Sequence, residues 1–330
     1  MAKHDPVERA LERLAALKSA AGDASVLEEL RAFLRNRSNL VAAKAAKIAG
    51  QRRITALVPE LVAAFHRLMA DAPRLDKRCA AITEIVISLY EMDYAEPGVY
   101  RLGLRHVQME GSYGPPIDTA AHLRGISALG LVRTKDREAL SDVVALLVDP
   151  EPPARIGAVR ALATNGGEAG ALALRLKVLT GDREPEVIAE CFAGLLASPS
   201  ESAIAFVAPH IDSHHAAVAE AAILALGASR SPQAVQILQQ KWQRTARGPI
   251  KKVLLLALSA SRNEDALQFL LDLLENAPVS TAAEVLSALS AQRPSASIRA
   301  SIRAALARRG DSTLLKSFHD SPSSGEEQNG

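Results

Sequence analysis

Apolar residues recur along most of this chain at helical spacing, and one short phrase returns with them. Ala139–Val148 carries Leu140, Val143, Val144, Leu147 and Val148 at i, i+3, i+4 and i+7, which predicts an amphipathic helix with one face turned inward. A second helical run ends in small residues around a Leu: Ser127-Ala128-Leu129-Gly130, Arg160-Ala161-Leu162-Ala163 and Ala193-Gly194-Leu195-Leu196. The phrase returns as Leu224-Ala225-Leu226-Gly227, Leu256-Ala257-Leu258-Ser259 and Ser287-Ala288-Leu289-Ser290. Its central leucines, 129, 162, 195, 226, 258 and 289, are separated by steps of 33, 33, 31, 32 and 31 residues. Ala171–Leu179, Ala203–Ala208, Ala234–Trp242 and Ala266–Leu274 take the slot of Ala139–Val148 in later units. Pro152, Pro185, Pro249 and Pro278 stand between the runs. Proline in a first helical turn loses no hydrogen bond, so these residues mark helix starts.

The repeating unit is therefore helix–turn–helix. One such pair cannot bury its apolar face alone, and stacking of neighbours completes it. The pattern predicts an all-α fold, a right-handed α-solenoid of about seven to eight helix–turn–helix repeats. Residues 120–318 hold the regular repeats and a closing helix at Ser295–Arg309. Residues 1–119 are helical but off period, with Val7–Ala20 as a cap and with Ser38–Ile48 and Arg78–Tyr90 as second helices. Residues 319–330 are nearly all polar and predict a disordered tail.

Asp149-Pro150 followed by Arg155 resembles HEAT repeats, in particular the short bacterial kind found in phycobilisome-lyase-type proteins. Asp182 with Val187 and the Ile250-Lys251 pair extend the likeness, while Ile188, Ala219 and Thr281-Ala282 interrupt it. The resemblance implies a helical, armadillo-like fold, and it brings no catalytic residue. One enzyme branch of helical-repeat proteins holds two irons with His-Glu dipeptides; none of the eight His here precedes Glu. No GxSxG, Walker A, GxGxxG or HExxH motif stands in the chain.

Composition narrows the rest. Of the 330 residues 48% are hydrophobic but only 3% aromatic, so Ala, Leu, Val and Ile must fill the core, as suits closely packed helices. Cys79 and Cys191 form no CxxC pattern and read as reduced, buried thiols. With no signal peptide and no apolar run of spanning length, the expectation is a soluble cytoplasmic protein that needs no membrane and no cofactor.

The net charge of +2 is too small for a general polyanion binder, yet charge is unevenly placed. Arg31, Arg35, Arg37, Lys44, Lys47, Arg52 and Arg53 follow one another with no Asp or Glu between them. They form the alternative, nucleic-acid-binding reading, which resembles the DNA-alkylation-repair branch of HEAT-like proteins. Residues 231–318 carry 12 basic and six acidic side chains, against 16 and 21 in residues 61–230. A bilin-lyase-like accessory role is a further alternative, resting on likeness of fold alone.

The segment 90–118 departs most from the repeat. It holds all four Tyr of the chain, four Gly and three Pro. An aromatic, Gly-rich insertion on a rigid scaffold is a place for recognition. Its candidate contacts are Tyr94, Tyr100, Arg101, Arg105, His106, Gln108, Glu110, Tyr113 and Asp118, with Arg124 just beyond. The alternative is that the insertion only covers a repeat edge. His106 with Glu110, and Asp118 with His122, have i, i+4 spacing, but Gly111, Gly114, Pro115 and Pro116 oppose a continuous helix, so no metal site is assigned. The leading expectation is a non-catalytic scaffold that binds a protein partner through its concave face and this insertion.

Overall fold

Proline opens a helix at three of the predicted breakers, Pro152, Pro185 and Pro249, and also at Pro232, while Pro278 stands just outside the helix that begins at Val279. In the computed structural model, which describes residues 5–18, 24–246 and 248–319, α10 (Pro152–Asn165), α12 (Pro185–Leu196), α15 (Pro232–Arg244) and α16 (Pro249–Ala260) all begin at Pro. Earlier in the chain come α1 (Pro6–Leu17), α2 (Ala24–Leu34), α3 (Asn39–Gln51), α4 (Val58–Met69), the short α5 (Ala72–Leu75), α6 (Ala80–Glu91), α7 (Pro97–Arg105), α8 (Ala121–Arg133) and α9 (Ala139–Ala145). The rest are α11 (Gly167–Thr180), α13 (Glu201–Val207), α14 (Ala216–Ala228), α17 (Glu264–Asn276), α18 (Val279–Ala291), α19 (Ala296–Arg309) and α20 (Ser312–His319). A two-residue-per-strand hairpin, β1 (Met109–Glu110) and β2 (Ile117–Asp118), is the only sheet among the described residues.

The fold is all-α and repetitive. The chain divides into two compact units at Thr180/Gly181. In unit 1 the second helices α3, α6, α8 and α10 pack each on the next; in unit 2 the same holds for α12, α14, α16 and α18. The recurring phrase explains this packing. Its central leucines are buried or nearly so, and the small residues beside them let helices approach closely. The limit is reached between α8 and α10: a Cβ on Gly157 would lie 2.2 Å from the Gly125 Cα. Each buried Leu contributes about 1.5–3 kcal/mol through removal from water. The boundary at 180/181 follows compactness, whereas the change of period near residue 119 follows repeat length.

Three details differ from the sequence pattern. The predicted helix Ala139–Val148 is α-helical only to Ala145 and continues as a 3₁₀ turn over Leu146–Val148. With three residues per turn, the 3₁₀ segment swings Val148 outward, to 81% exposure, while Val143 and Leu147 stay inside. The helix predicted from Arg78 starts at Ala80, because Arg78 and Cys79 adopt φ of 60° and 50°. The insertion contains a helix, α7, as well as the hairpin. The tail expected at 319–330 falls outside the described residues, apart from His319 at the end of α20.

Candidate functional site

The insertion is held by a buried polar network that starts upstream of it. Asp76 is fully buried below the start of α6. Its Oδ1 and Oδ2 accept from the amides of Ala81 (3.0 Å) and Ile82 (2.8 Å), taking two of the donors that the helix start leaves without partners. Oδ1 also accepts from Asn39 Nδ2 (2.9 Å), one repeat back. The Asp76 carbonyl accepts from Gln108 Nε2 (2.9 Å), and the same amide nitrogen donates to Glu110 Oε1 (2.6 Å). Glu110 Oε1 further accepts from the Arg78 amide (2.6 Å), which ties β1 to the left-handed turn before α6.

Arg124 closes the network from α8. Its Nη1 donates to Asp118 Oδ2 (2.7 Å) and to the His106 carbonyl (3.0 Å). Its Nε and Nη2 form a bidentate pair with Asp149 (2.8 and 2.9 Å). Asp118 Oδ1 accepts from the amides of Gln108 (3.1 Å) and Ala120 (2.9 Å). Hairpin, α8 and the Asp149 turn are thus joined through one guanidinium. Arg155, the other basic residue of the HEAT-like pattern, donates instead to the carbonyls of Asp149 (2.8 Å) and Pro150 (2.9 Å).

The charges are arranged for structure rather than proton transfer. Burial pushes the Asp118 carboxyl up, but the Ala120 and Gln108 amides and Arg124 outweigh it and hold it below the usual carboxylate range. For Glu110, burial is likewise overcome, by Gln108, the Arg78 amide, Thr119 and the Lys77 charge. The Cys79 thiol is pushed up to about 12, chiefly by burial, with Asp76, Glu110 and Asp118 adding to the effect against the Thr119 hydrogen bond. It is not a nucleophile at neutral pH. Among the described residues no three of His, Cys, Asp and Glu converge to hold a metal ion.

Several predicted contact residues lie inside this framework. Tyr100 is fully buried; its hydroxyl donates to the Tyr94 carbonyl (3.0 Å), and its ring fills the space left by Gly130, where a Cβ would come within 2.2 Å. Gln108 and Arg124 are buried as well. These three residues fasten the insertion to the scaffold and are not exposed at its surface. Asp118, Glu110, His106 and Tyr94 are half-buried. His106 and Glu110 do not face each other as a ligand pair: Gln108 lies between them, bonded to both. Arg101 is half-buried between Asp136 (2.7 Å) and Asp142 (2.9 Å), and Arg105 reaches Asp142 at 3.1 Å. Hydrogen bonds from Arg101 keep the Asp142 carboxyl below its ordinary value despite its burial, with Arg105 adding to the effect.

What the network leaves outside is apolar. Tyr113, at the hairpin tip, is fully exposed, and Val107 (58%), Met109 (57%) and Ile117 (56%) stand out beside it. Leu102 on α7 is 47% exposed. Sequence reasoning marked Tyr113 but missed these aliphatic neighbours, whose signal was their place in a segment flanked by Gly and Pro.

The basic N-terminal series is only partly open. Arg31 pairs with Glu28 (2.6 Å) and Glu60 (2.8 Å), Lys47 with Glu84 (3.4 Å) and Arg53 with Asp93. Arg52 donates to the Leu17 carbonyl (3.0 Å). Arg35, Arg37 and Lys44 are exposed and make no ion pair with a described residue.

Comparison with known proteins bears on the repeat itself. Residues 172–253, from α11 into α16, match the family model described as HEAT repeats. Residues 172–253 of this chain carry HEAT repeats. No curated protein matches it. Among solved structures, human deoxyhypusine hydroxylase in complex with glycerol is 18% identical, over 78% of this chain and 91% of that one, at a TM-score of 0.31. The complex of CpcE and CpcF of phycocyanin lyase from Nostoc sp. PCC7120 is 18% identical over 91% and 97%, at 0.36. An engineered protein is 16% identical over 96% and 95%, at 0.42. Among the described residues no helix of the HEAT-repeat chain is long and apolar enough to cross a membrane.

Proposed function

We propose that this HEAT-repeat chain is a non-catalytic binding module that recognises a protein partner through the hairpin β1–β2 and the residues beside it. The observation that carries the reading is the contrast between the anchored base of the hairpin and the apolar residues it exposes. At its base the Arg124, Asp118 and Asp149 side chains are almost wholly out of solvent and bonded to one another, whereas Tyr113, Met109 and Ile117 face solvent. An apolar group presented by a fixed support loses little conformational entropy on binding. Tyrosine, with a large ring and a polar end, suits such a contact. Arg105, exposed at the end of α7, supplies a charge at the rim.

A second apolar strip supports protein binding by unit 1. Leu172, Leu176 and Leu179, at i, i+4 and i+7 on α11, are 61%, 62% and 71% exposed. Exposed apolar strips of this kind mark interaction surfaces. The nucleic-acid alternative rests on Arg35, Arg37 and Lys44, since Arg31, Lys47, Arg52 and Arg53 are already engaged within the protein.

The test is site-directed photo-crosslinking. A photoreactive residue at Tyr113 is expected to capture a protein that the same residue at exposed Lys135 does not, and Met109→Ser with Ile117→Ser is expected to abolish the capture with the helical content unchanged. Equal capture from both positions, or capture that survives the double substitution, would remove the hairpin as the recognition element.

A further inference from the structure

The turns after α14, α16 and α18 put one residue type into one unusual conformation. Arg230, Arg262 and Arg293 have φ of 56°, 50° and 47°, the left-handed region that favours glycine. They stand four residues after the central leucines 226, 258 and 289. All three are exposed, and none makes an ion pair with a described residue. A side chain in this conformation costs about 1–2 kcal/mol. A cation near a helix C-terminus is favourable, but the last turn offers that position without strain.

Cavities lie beside these arginines. Arg262 and Arg293 border a hollow of about 580 Å³ between the turn into α17 and the turn into α19, with Leu267, Leu270, Leu289 and Ile298 in its lining. Arg230 borders a second hollow, of about 350 Å³, lined by small apolar residues of α12 and α14. Glu264 is the one acidic residue lining the larger hollow, where it is opposed by two guanidiniums. No aromatic residue lines either hollow, so a nucleic acid would find no ring on which to stack its bases.

Spacing selects the ligand. Packed helices lie about 8–10 Å apart, so cations one repeat apart are separated by a similar distance. A polyproline-II segment presents the same face every three residues, about 9 Å along its axis. We propose that this edge of unit 2 binds an extended acidic peptide segment of a partner protein, with carboxylates at every third position against Arg230, Arg262 and Arg293. Apolar side chains between them occupy the hollow at Arg262 and Arg293. The site is in unit 2 and shares no residue with the hairpin, so either can fail without the other.

Fluorescence anisotropy on the full chain tests it, with a labelled peptide of four Asp-Pro-Leu repeats, the same peptide with Asn for Asp, and a short single-stranded oligonucleotide. The acidic peptide is expected to bind in a salt-sensitive manner, and the Asn peptide is not. Arg262→Asn with Arg293→Asn keeps a residue that tolerates the left-handed turn, and it is expected to weaken binding at least about tenfold with the thermal melt unchanged. No binding of the acidic peptide, equal binding of the Asn peptide, or indifference to the double substitution would overturn the proposal. Tighter binding of the oligonucleotide, lost in the same variant, would overturn it in favour of a nucleic acid.

Discussion

The turn after α6 and the turn after α16 occupy the same place in their repeats, yet their charges have different fates. In unit 1 the left-handed position is Asp93, which pairs with Arg53 from the turn after α3 and with Arg133 at the end of α8 (2.8 Å). Arg133 also lies over the Tyr90 ring at 4.1 Å. In unit 2 the corresponding Arg262 has Arg230 and Arg293 one repeat to either side and makes no ion pair with a described residue. One exchange of sign at a repeated position thus turns a self-neutralised edge into an open one. The same contrast holds inside: unit 1 buries Arg124 against Asp118 and Asp149, whereas the Lys252–Glu284 pair of unit 2 stays exposed.

The largest effect should come from removing the charge that unit 1 buries. Arg124→Met leaves Asp118 and Asp149 without their guanidinium, and it is expected to destabilise unit 1 by about 3–5 kcal/mol. Hydrogen exchange resolved by residue would show α8 and the hairpin opening while α14–α18 keep their protection; uniform loss across both units would show that they unfold together. Next is Tyr100→Ala, expected to cost about 3–5 kcal/mol before relaxation around Gly130 reduces it, as measured by chemical denaturation.

Acid should separate the units as well. Asp118, Glu110 and Asp142, all in unit 1, have carboxyls held low in the fold. Their contribution is complete above the unfolded values of about 4 and is lost as pH falls through the lower folded values. Exchange measured on acidification below pH about 4 should therefore show unit 1 loosening first, and Asp142→Asn should reduce that dependence.

Smaller effects are expected at the edges. Asp93→Ala releases Arg53 and Arg133, both substantially exposed, so stability should change by less than about 1 kcal/mol. The same variant should make the unit 1 edge a salt-sensitive acceptor of the acidic peptide, readable by anisotropy on a chain that also carries the Arg262 and Arg293 substitutions. Arg262→Gly relieves a strained turn but adds backbone entropy to the unfolded chain and removes a cation from the end of α16. Its net effect on the melt should stay within about 1 kcal/mol.

The repeat was legible because close packing of helices requires a small residue at fixed intervals, and Ala161, Ala225 and Ala257 supply it, each one residue before a central leucine. Pro152, Pro185 and Pro249 fixed helix starts through a steric rule that no tertiary contact overrides. The insertion was less legible, since composition does not give direction. Tyr100 looked like a recognition residue because aromatics are scarce, but α7 turns it inward onto Gly130. Arg124 read as a surface charge because its partners, Asp118 and Asp149, stand six and 25 residues away. The arginines at the unit 2 edge could have been found from their constant offset after the central leucines; their open state could not, because it depends on which residues the neighbouring turns bring near.

The contact between Gly125 and Gly157 has a mechanical consequence for the hairpin. Gly125 follows Arg124 on α8, so the side chain that anchors the hairpin springs from the point where two helices touch backbone to backbone. There is no cushion of side chains at that joint to absorb a displacement. A load applied at Tyr113 would pass through Asp118 and Arg124 into α8 and α10 together, and the tip would behave as a lever bolted to two beams.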